Sequence, residues 1–485
     1  MSVRRNMTWM AASQTSAFIA QFVTTVVLAR LLTPYEMGIF AAALAVSGLL
    51  AILRNVGLGP YVVRAAVLAP ELLATIFTIN AFLSLLIAAA VAGLSVLGGA
   101  LLGESGVRNV LLVVAVVPVI SIFEFRPAAV MERQGRFGGL ATVNVARALA
   151  SGVVAIVLAY QGHSYMSLAY GQLVGGVVVA VGFNLMGWRH AALRMSLAGW
   201  RGILRHGVHM FAISSTGVAT MRLAELAMGR MLGLEVLGIY SRAGGVANMA
   251  WESIGMIIAR PVFVDMAEQR RQGRSLRTGY LRVTAITTGL LWPAFVGLAV
   301  LAGPVVLLLY GPQWEDAALP LSLLALALLP AAAMVVASSV VVVSERTAVQ
   351  MRLEAIRSVA GLALFLGGCL LGLNWAAASR ILEALLSFAL YRRLVQHLTD
   401  TTEVDFTPIY LRSLALTAAA AGPAAAVMAW FGWSAHAPLA AIGPAILLGA
   451  LLWAALLHRM RHPLFEEALR LLSRRRPGTD IRPTP

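Results

Sequence analysis

Fourteen stretches of mostly apolar residues, each close to the length that crosses a lipid bilayer, divide this chain from end to end. A spanning helix needs about 20 such residues. The runs are bounded by charges or by Gly and Pro clusters and fall at 10–32, 34–56, 71–97, 107–125, 140–160, 165–187, 206–232, 236–260, 280–302, 317–343, 353–373, 375–395, 409–431 and 438–459. With 60% apolar and 12% charged residues, the chain holds more apolar surface than a soluble fold can hide. The expected fold is therefore an all-α polytopic membrane protein.

The amino-terminal "MSVRRNMTWMAASQTSAFIAQF" opens like a secretion signal, but its apolar stretch continues to Leu32 without a small-residue cleavage site, so it is expected to stay as the first helix. The single cysteine, Cys369, allows neither a disulfide framework nor a cysteine-based metal site. The net charge of +16 comes from arginine alone, as there is no lysine. Most arginines fall in alternate connections and in the tail, whereas Arg30, Arg108 and Arg230 fall at the opposite face. This is the positive-inside pattern. It puts both termini in the cytoplasm and accounts for the basic balance without nucleic acid.

The chain also repeats itself. "ARLLTPYEMGIFAAA" at 29–43 returns as "GRMLGLEVLGIYSRA" at 229–243, so that Arg30, Leu32, Gly38, Ile39 and Phe40 match Arg230, Leu232, Gly238, Ile239 and Tyr240. That offset holds six predicted helices, and an even number returns the chain to the same side of the membrane. The repeats are therefore parallel, as in transporters whose substrate site lies between halves related about the membrane normal. Residues 1–200 are expected to form one six-helix bundle, 201–400 a second, and 401–485 two further helices with a basic tail. The repeated turn has a structural reading: Thr33 as N-cap, Pro34 at the first helical position and Glu36 closing a capping box. Arg30 complements the negative end of the first helix.

Chemistry is sought instead in polar groups within the apolar runs. An ionised side chain near the bilayer centre costs about 2.5–3.5 kcal/mol on insertion scales, so it usually faces a cavity or a partner. In the seventh segment Ser215, Arg222 and Glu225 recur at i, i+7 and i+10, on one helical face. They form either a self-neutralising ion pair or part of a site. The eighth places Ser241, Gly245, Asn248 and Glu252 on one stripe, flanked by Arg242 and Trp251. Gln14 and Gln21, with Thr25, line the first segment; Asn144, Arg147 and Ser151 line the fifth. Arg54 and Asn55 end the second, where Arg54 either snorkels to lipid headgroups or reads an anionic one. Arg380 and Glu383 lie near the outer end of the twelfth, where a surface pair serves as well. The expected substrate-binding set is Gln14, Gln21, Arg54, Asn55, Asn144, Arg147, Arg222, Arg242, Asn248 and Trp251, with Glu225 and Glu252 as coupling carboxylates. His206 and His209 lack a third ligand, and no HExxH or Walker pattern occurs, so no metal, cofactor or ATP-driven step is expected.

The stretch "LARLLTPYEMGIFAAALAVSGLLAILRNVGLG", with the helix count and the two six-helix halves, resembles the polysaccharide transporter branch of the multidrug/oligosaccharidyl-lipid/polysaccharide flippase superfamily, the Wzx-type flippases. The resemblance implies a non-enzymatic transporter of the bacterial inner membrane. It would carry a polyprenyl-pyrophosphate-linked oligosaccharide to the outer leaflet by alternating access, for surface polysaccharide or exopolysaccharide assembly. By analogy with peptidoglycan-precursor relatives it implies a prenyl-tail groove at the last two helices. The expected partners are the polyprenyl-linked oligosaccharide, membrane lipids, and polymerase and chain-length proteins of the same pathway. Two alternatives stand beside it: a drug or metabolite antiporter of the superfamily, which usually has twelve helices, and a membrane polysaccharide polymerase, which would carry a long outer loop.

Overall fold

A computed structural model describes residues 3–467 apart from 55–57, 59–60, 63–68, 103, 188–193, 273–274 and 345; within its helices the side chains of 3–12, 97–102, 204–215, 253–267, 270 and 347 are likewise left out. Among the described residues all regular structure is helical. The chain runs through α1 (Val3–Leu31), α2 (Pro34–Ala51), α3 (Pro70–Leu102), α4 (Ser105–Val114), α5 (Val116–Arg133), α6 (Phe137–Tyr160), α7 (Met166–Met186), α8 (Trp200–Leu232) and α9 (Leu234–Arg271). It continues through α10 (Arg277–Val300), α11 (Ala302–Tyr310), α12 (Ala318–Ala333), α13 (Ala337–Val343), α14 (Thr347–Leu371), α15 (Leu373–Thr399), α16 (Glu403–Trp430) and α17 (Leu439–Arg459). Among the described residues, ten candidate spans are long and apolar enough to cross a membrane. Of the polar stripes, Asn144, Arg147 and Ser151 lie on α6, within that set. The molecule is a multi-pass all-α membrane protein.

Contacts divide the chain into two compact units, Met1–Ser241 with Leu309–Trp314, and Arg242–Leu308 with Glu315–Pro485. In the first, α6 packs on α1 and α7, α5 on α3 and α7, and α2 on α4 and α8. Lipid tails are as apolar as leucine, so helices inside a membrane associate through close packing of small residues. Gly171 and Gly175, one turn apart on α7, meet α6 this way. A Cβ on Gly171 would lie 2.7 Å from the Ser151 carbonyl oxygen.

The repeated turn is capped as expected. The Thr33 backbone N–H donates to Glu36 Oε2 at 2.7 Å, and the Glu36 N–H donates to Thr33 Oγ1 at 3.3 Å. Its glycines have a further role. A Cβ on Gly38 would lie 1.7 Å from the Leu234 carbonyl oxygen, and one on Gly238 would lie 1.9 Å from that of Pro34. The two contacts are reciprocal, since Pro34 and Leu234 are themselves repeat partners. The motif recurs because its two copies cross backbone to backbone, and only glycine permits that approach.

Residues Leu309–Trp314 join the first unit by closing the end of α1, whose last carbonyls lack helical partners. Trp314 Nε1 donates to the Ala29 carbonyl at 2.6 Å, Gln313 Nε2 to the same oxygen at 2.8 Å, and Arg30 Nε to the Leu309 carbonyl at 3.1 Å. In the second unit α10 packs on α12 and α16, α15 on α12 and α14, and α16 on α17. Gly449 of α17 lies against α16 so closely that a Cβ would sit 2.0 Å from the Ala420 carbonyl oxygen.

Candidate functional site

The α2 rod ends in a single 3-10 turn, Ile52–Arg54, which turns Arg54 toward α5. Its Nη1 donates to Ser121 Oγ at 2.5 Å, and that hydroxyl donates in turn to the Pro118 carbonyl at 2.7 Å. Three residues on, Glu124 lies within electrostatic reach of both Arg54 and Arg147. Arg147 is exposed on α6, and its stem passes Gly175 of α7, where a Cβ would stand 3.4 Å from Arg147 Cγ. Two arginines from separate predicted segments thus lie within electrostatic reach of one carboxylate.

Six residues before Arg54, about 9 Å along the rod at helical rise, Gly48 admits the side chain of Arg222. A Cβ at Gly48 would lie 2.8 Å from Arg222 Nε. Arg222 Nη1 binds Glu225 Oε2 at 2.8 Å, with the two side chains 27% and 17% exposed, while Arg222 Nε is buried without a hydrogen-bond partner among the described residues. The ion pair therefore forms, yet leaves one donor unsatisfied. The first unit holds three guanidiniums within its apolar helices, Arg54, Arg147 and Arg222, against two carboxylates, Glu124 and Glu225. That excess of positive charge suits an anion.

The other expected residues are distributed as follows. Gln14, Gln21 and Asn144 are exposed on α1 and α6. Asn55 and the Ser215 side chain lie outside the described residues. In the second unit Asn248 and Glu252 are exposed on α9 and Arg242 is half-buried. Trp251 stacks on Phe295 with ring centroids 6.2 Å apart and packs beside the core of α10 and α12. In the first unit the structure pairs Arg222 with Glu225 and sets Arg54 and Arg147 within electrostatic reach of Glu124; it does not join Gln14 or Gln21 to these groups by a hydrogen bond among the described residues.

One carboxylate and most of one interhelical network escaped the sequence reading, which named only Arg380 and Glu383 of the latter. Glu124 sits at the last turn of a predicted segment ending at 125, where a carboxylate reads as a boundary charge. The second is a network between α14 and α15. Arg357 Nε binds Glu354 Oε2 at 3.0 Å and its Nη1 reaches Glu383, which also accepts from Arg380 Nη1 at 2.6 Å. Glu383 is 8% exposed, and Gly361 makes room for it. Arg380 also lies over the Phe365 ring at 4.2 Å. This pair is part of a buried interhelical lattice instead of a surface bridge. The i, i+3 spacing of Glu354 and Arg357 was the available signal.

A cavity of about 400 Å³ opens in the second unit among α10, α12, α15 and α16. Trp292, Leu329, Leu385 and Leu414 make it apolar, and Arg392 stands at one side, its guanidinium 4.9 Å from the Phe388 ring centre.

Residues 27–319 match the family described as polysaccharide biosynthesis protein. Among curated relatives, the succinoglycan biosynthesis transport protein ExoT of Rhizobium meliloti is 28% identical over 67% of this chain and 66% of its own length. The lipopolysaccharide biosynthesis protein WzxC of Escherichia coli is 24% identical over 64% of this chain and 63% of its own. The matched part thus spans somewhat under two thirds of each relative. Among solved structures, the lipid II flippase MurJ in an inward closed conformation superposes with a TM-score of 0.74 at 13% identity, over 92% of this chain and 97% of that one. An inward-facing multidrug resistance MATE family transporter superposes with a TM-score of 0.55 at 17% identity, over 83% and 97%. The fold is shared with both.

Proposed function

The chain belongs to the polysaccharide biosynthesis protein family, and from that premise we propose that it is a Wzx-type flippase. It moves a polyprenyl-pyrophosphate-linked oligosaccharide from the inner to the outer leaflet of a bacterial cytoplasmic membrane, without chemical conversion, by alternating access. The names of its relatives, a succinoglycan transport protein and a lipopolysaccharide biosynthesis protein, support a carbohydrate cargo. The observation that carries the reading is the Arg222–Glu225 pair set against Gly48, whose arginine keeps a buried donor without an acceptor, with Arg54 and Arg147 both within electrostatic reach of Glu124 in the same unit.

In this proposal the carboxylates hold the guanidiniums in place while the cargo is absent. A pyrophosphate carries more charge than either carboxylate and takes over the freed donors, with Arg222 Nε already lacking an acceptor. Gln14, Gln21, Asn144, Asn248 and Trp251 meet the sugar, Arg242 and Asn55 lie at the rim, and Glu225 or Glu252 binds a coupling cation on return. The membrane places both termini in the cytoplasm, as the arginine pattern suggests. The two six-helix repeats act as the moving lobes, with the last two helices and the apolar cavity beside α16 taking the prenyl chain. Polymerase and chain-length proteins of the same pathway receive the product.

The test is the pool of lipid-linked intermediates. A deletion strain should accumulate the unpolymerised lipid-linked oligosaccharide in the inner leaflet and lose the surface polymer. Arg147→Ala should reproduce part of this: a charge-assisted hydrogen bond is worth about 1.5–3 kcal/mol, hence roughly a ten- to hundredfold loss of rate. An unaltered pool in the deletion strain excludes the reading.

A further inference from the structure

A second cavity, of about 320 Å³, lies in the second unit at the start of α10, against α16 and the turn after α17. Its polar lining is Arg277, Thr278, Arg282, Arg412 and His462, and no carboxylate lines it. The acidic groups nearby hold two arginines from outside. Arg277 Nη2 binds both oxygens of Asp405 at 2.8 and 2.9 Å, and Arg282 Nη2 binds Glu467 at 3.1 Å. Arg412 makes no ion pair among the described residues, which leaves the pocket one positive charge in excess.

His462 is 1% exposed. Its Nδ1 accepts from the Leu464 N–H at 3.3 Å, so Nε2 carries the proton, and that buried donor has no acceptor. The Nε2 edge of His462 lies against α10 at Gly289, where a Cβ would stand 3.2 Å away, so the donor that the pocket itself offers is Arg412, beside an apolar wall that includes Ile409. It lies at the end of α17, just after a candidate membrane span ends at Arg459. Its volume is about ten times the ~30 Å³ of one water, enough for a phosphate with its attached glycerol.

We propose that this pocket binds the phosphodiester headgroup of an anionic membrane phospholipid. Basic pockets between membrane helices at the charged face recognise such headgroups through converging arginines. The phosphate pairs with Arg412, shares the second faces of Arg277 and Arg282, and draws the turn after α17 onto α10. The site is independent of the cargo reading above, because its residues belong to none of the transport arginines.

The full chain, delipidated and titrated with phosphatidylglycerol, is read by native mass spectrometry for bound lipid, with phosphatidylcholine and polyprenyl pyrophosphate in parallel arms. Phosphatidylglycerol should bind in preference to phosphatidylcholine. Arg412→Ala should weaken it about fivefold, the usual contribution of one surface arginine, and Arg412→Lys should restore most of it. Arg412 is exposed and makes no ion pair among the described residues, so its loss leaves the fold intact. Equal binding of both phospholipids, or identical phosphatidylglycerol titrations for wild type and Arg412→Ala, overturns the proposal. Displacement of phosphatidylglycerol by polyprenyl pyrophosphate also overturns it, assigning the pocket to the cargo.

Discussion

Arg222 neutralises Glu225 and lies against the α2 backbone at Gly48, so reversing its charge acts at both places. Arg222→Glu should abolish export while leaving inserted protein at wild-type level, because two carboxylates then share one turn on the path proposed for the pyrophosphate. Immunoblots of the membrane fraction alongside surface polymer measure both, and normal export would remove the residue from the site. Arg242→Ala should weaken export less. His462 supplies a pH signature: burial, with Arg412 nearby, holds its imidazole below the ordinary histidine range. The folded state therefore takes up a proton less readily than the unfolded one. Its packing on α10 is intact above about pH 6.5 and is lost as pH falls through the depressed folded value. Hydrogen exchange in residues 460–467 should rise over that window in wild type and stay flat in His462→Asn. The Arg222–Glu225 pair was legible because one helix fixes both members three residues apart. Glu124 was not: its meaning depends on arginines from two other helices, which no local spacing reveals.

Between elements, the reciprocal crossing of the repeated turns sets a sharp expectation. Gly38→Ala or Gly238→Ala forces a Cβ onto a backbone carbonyl that no rotamer change can clear. Either should lower the melting temperature of the purified protein far more than Gly244→Ala, whose nearest outside atom would be 3.9 Å away. Equal effects at the three sites would mean that the helices slide apart freely. The Thr33 capping box is a milder case, and Thr33→Ala should cost ~1 kcal/mol. Helix positions were legible from the apolar runs, as was the cap from its Ser/Thr-x-x-Glu spacing. The crossing was only half legible. Matching Gly38 to Gly238 announced a duplicated element, but a sequence repeat does not say that its copies touch. The α14–α15 lattice was hidden likewise, since Arg357 and Glu383 are 26 residues apart and meet only through antiparallel packing.

For the whole molecule the proposed cargo makes the membrane potential a driving force. A pyrophosphate diester carries about two negative charges, and each moved outward across an inside-negative membrane releases roughly 2.3 kcal/mol per 100 mV. If the arginines neutralise the cargo, the empty cationic site is instead drawn back inward, so either half of the cycle feels the field. Translocation in vesicles should slow when an ionophore collapses the potential at constant pH gradient; an unchanged rate would leave an ion gradient or product consumption as the drive. Reporters inserted at the exposed turns Gly162 and Ser275 should give opposite signals, as the arginine pattern requires. The closure of α1 by Trp314 bears on how the protein is made. Ala29 and Trp314 are 285 residues apart, and at roughly 5–20 residues per second the ribosome needs about 15–60 s to deliver the second after the first. Throughout that interval the nascent first unit waits in the translocon's neighbourhood with its opening helix unlatched, so chains arrested before residue 309 should be degraded by membrane proteases while those arrested after 314 survive.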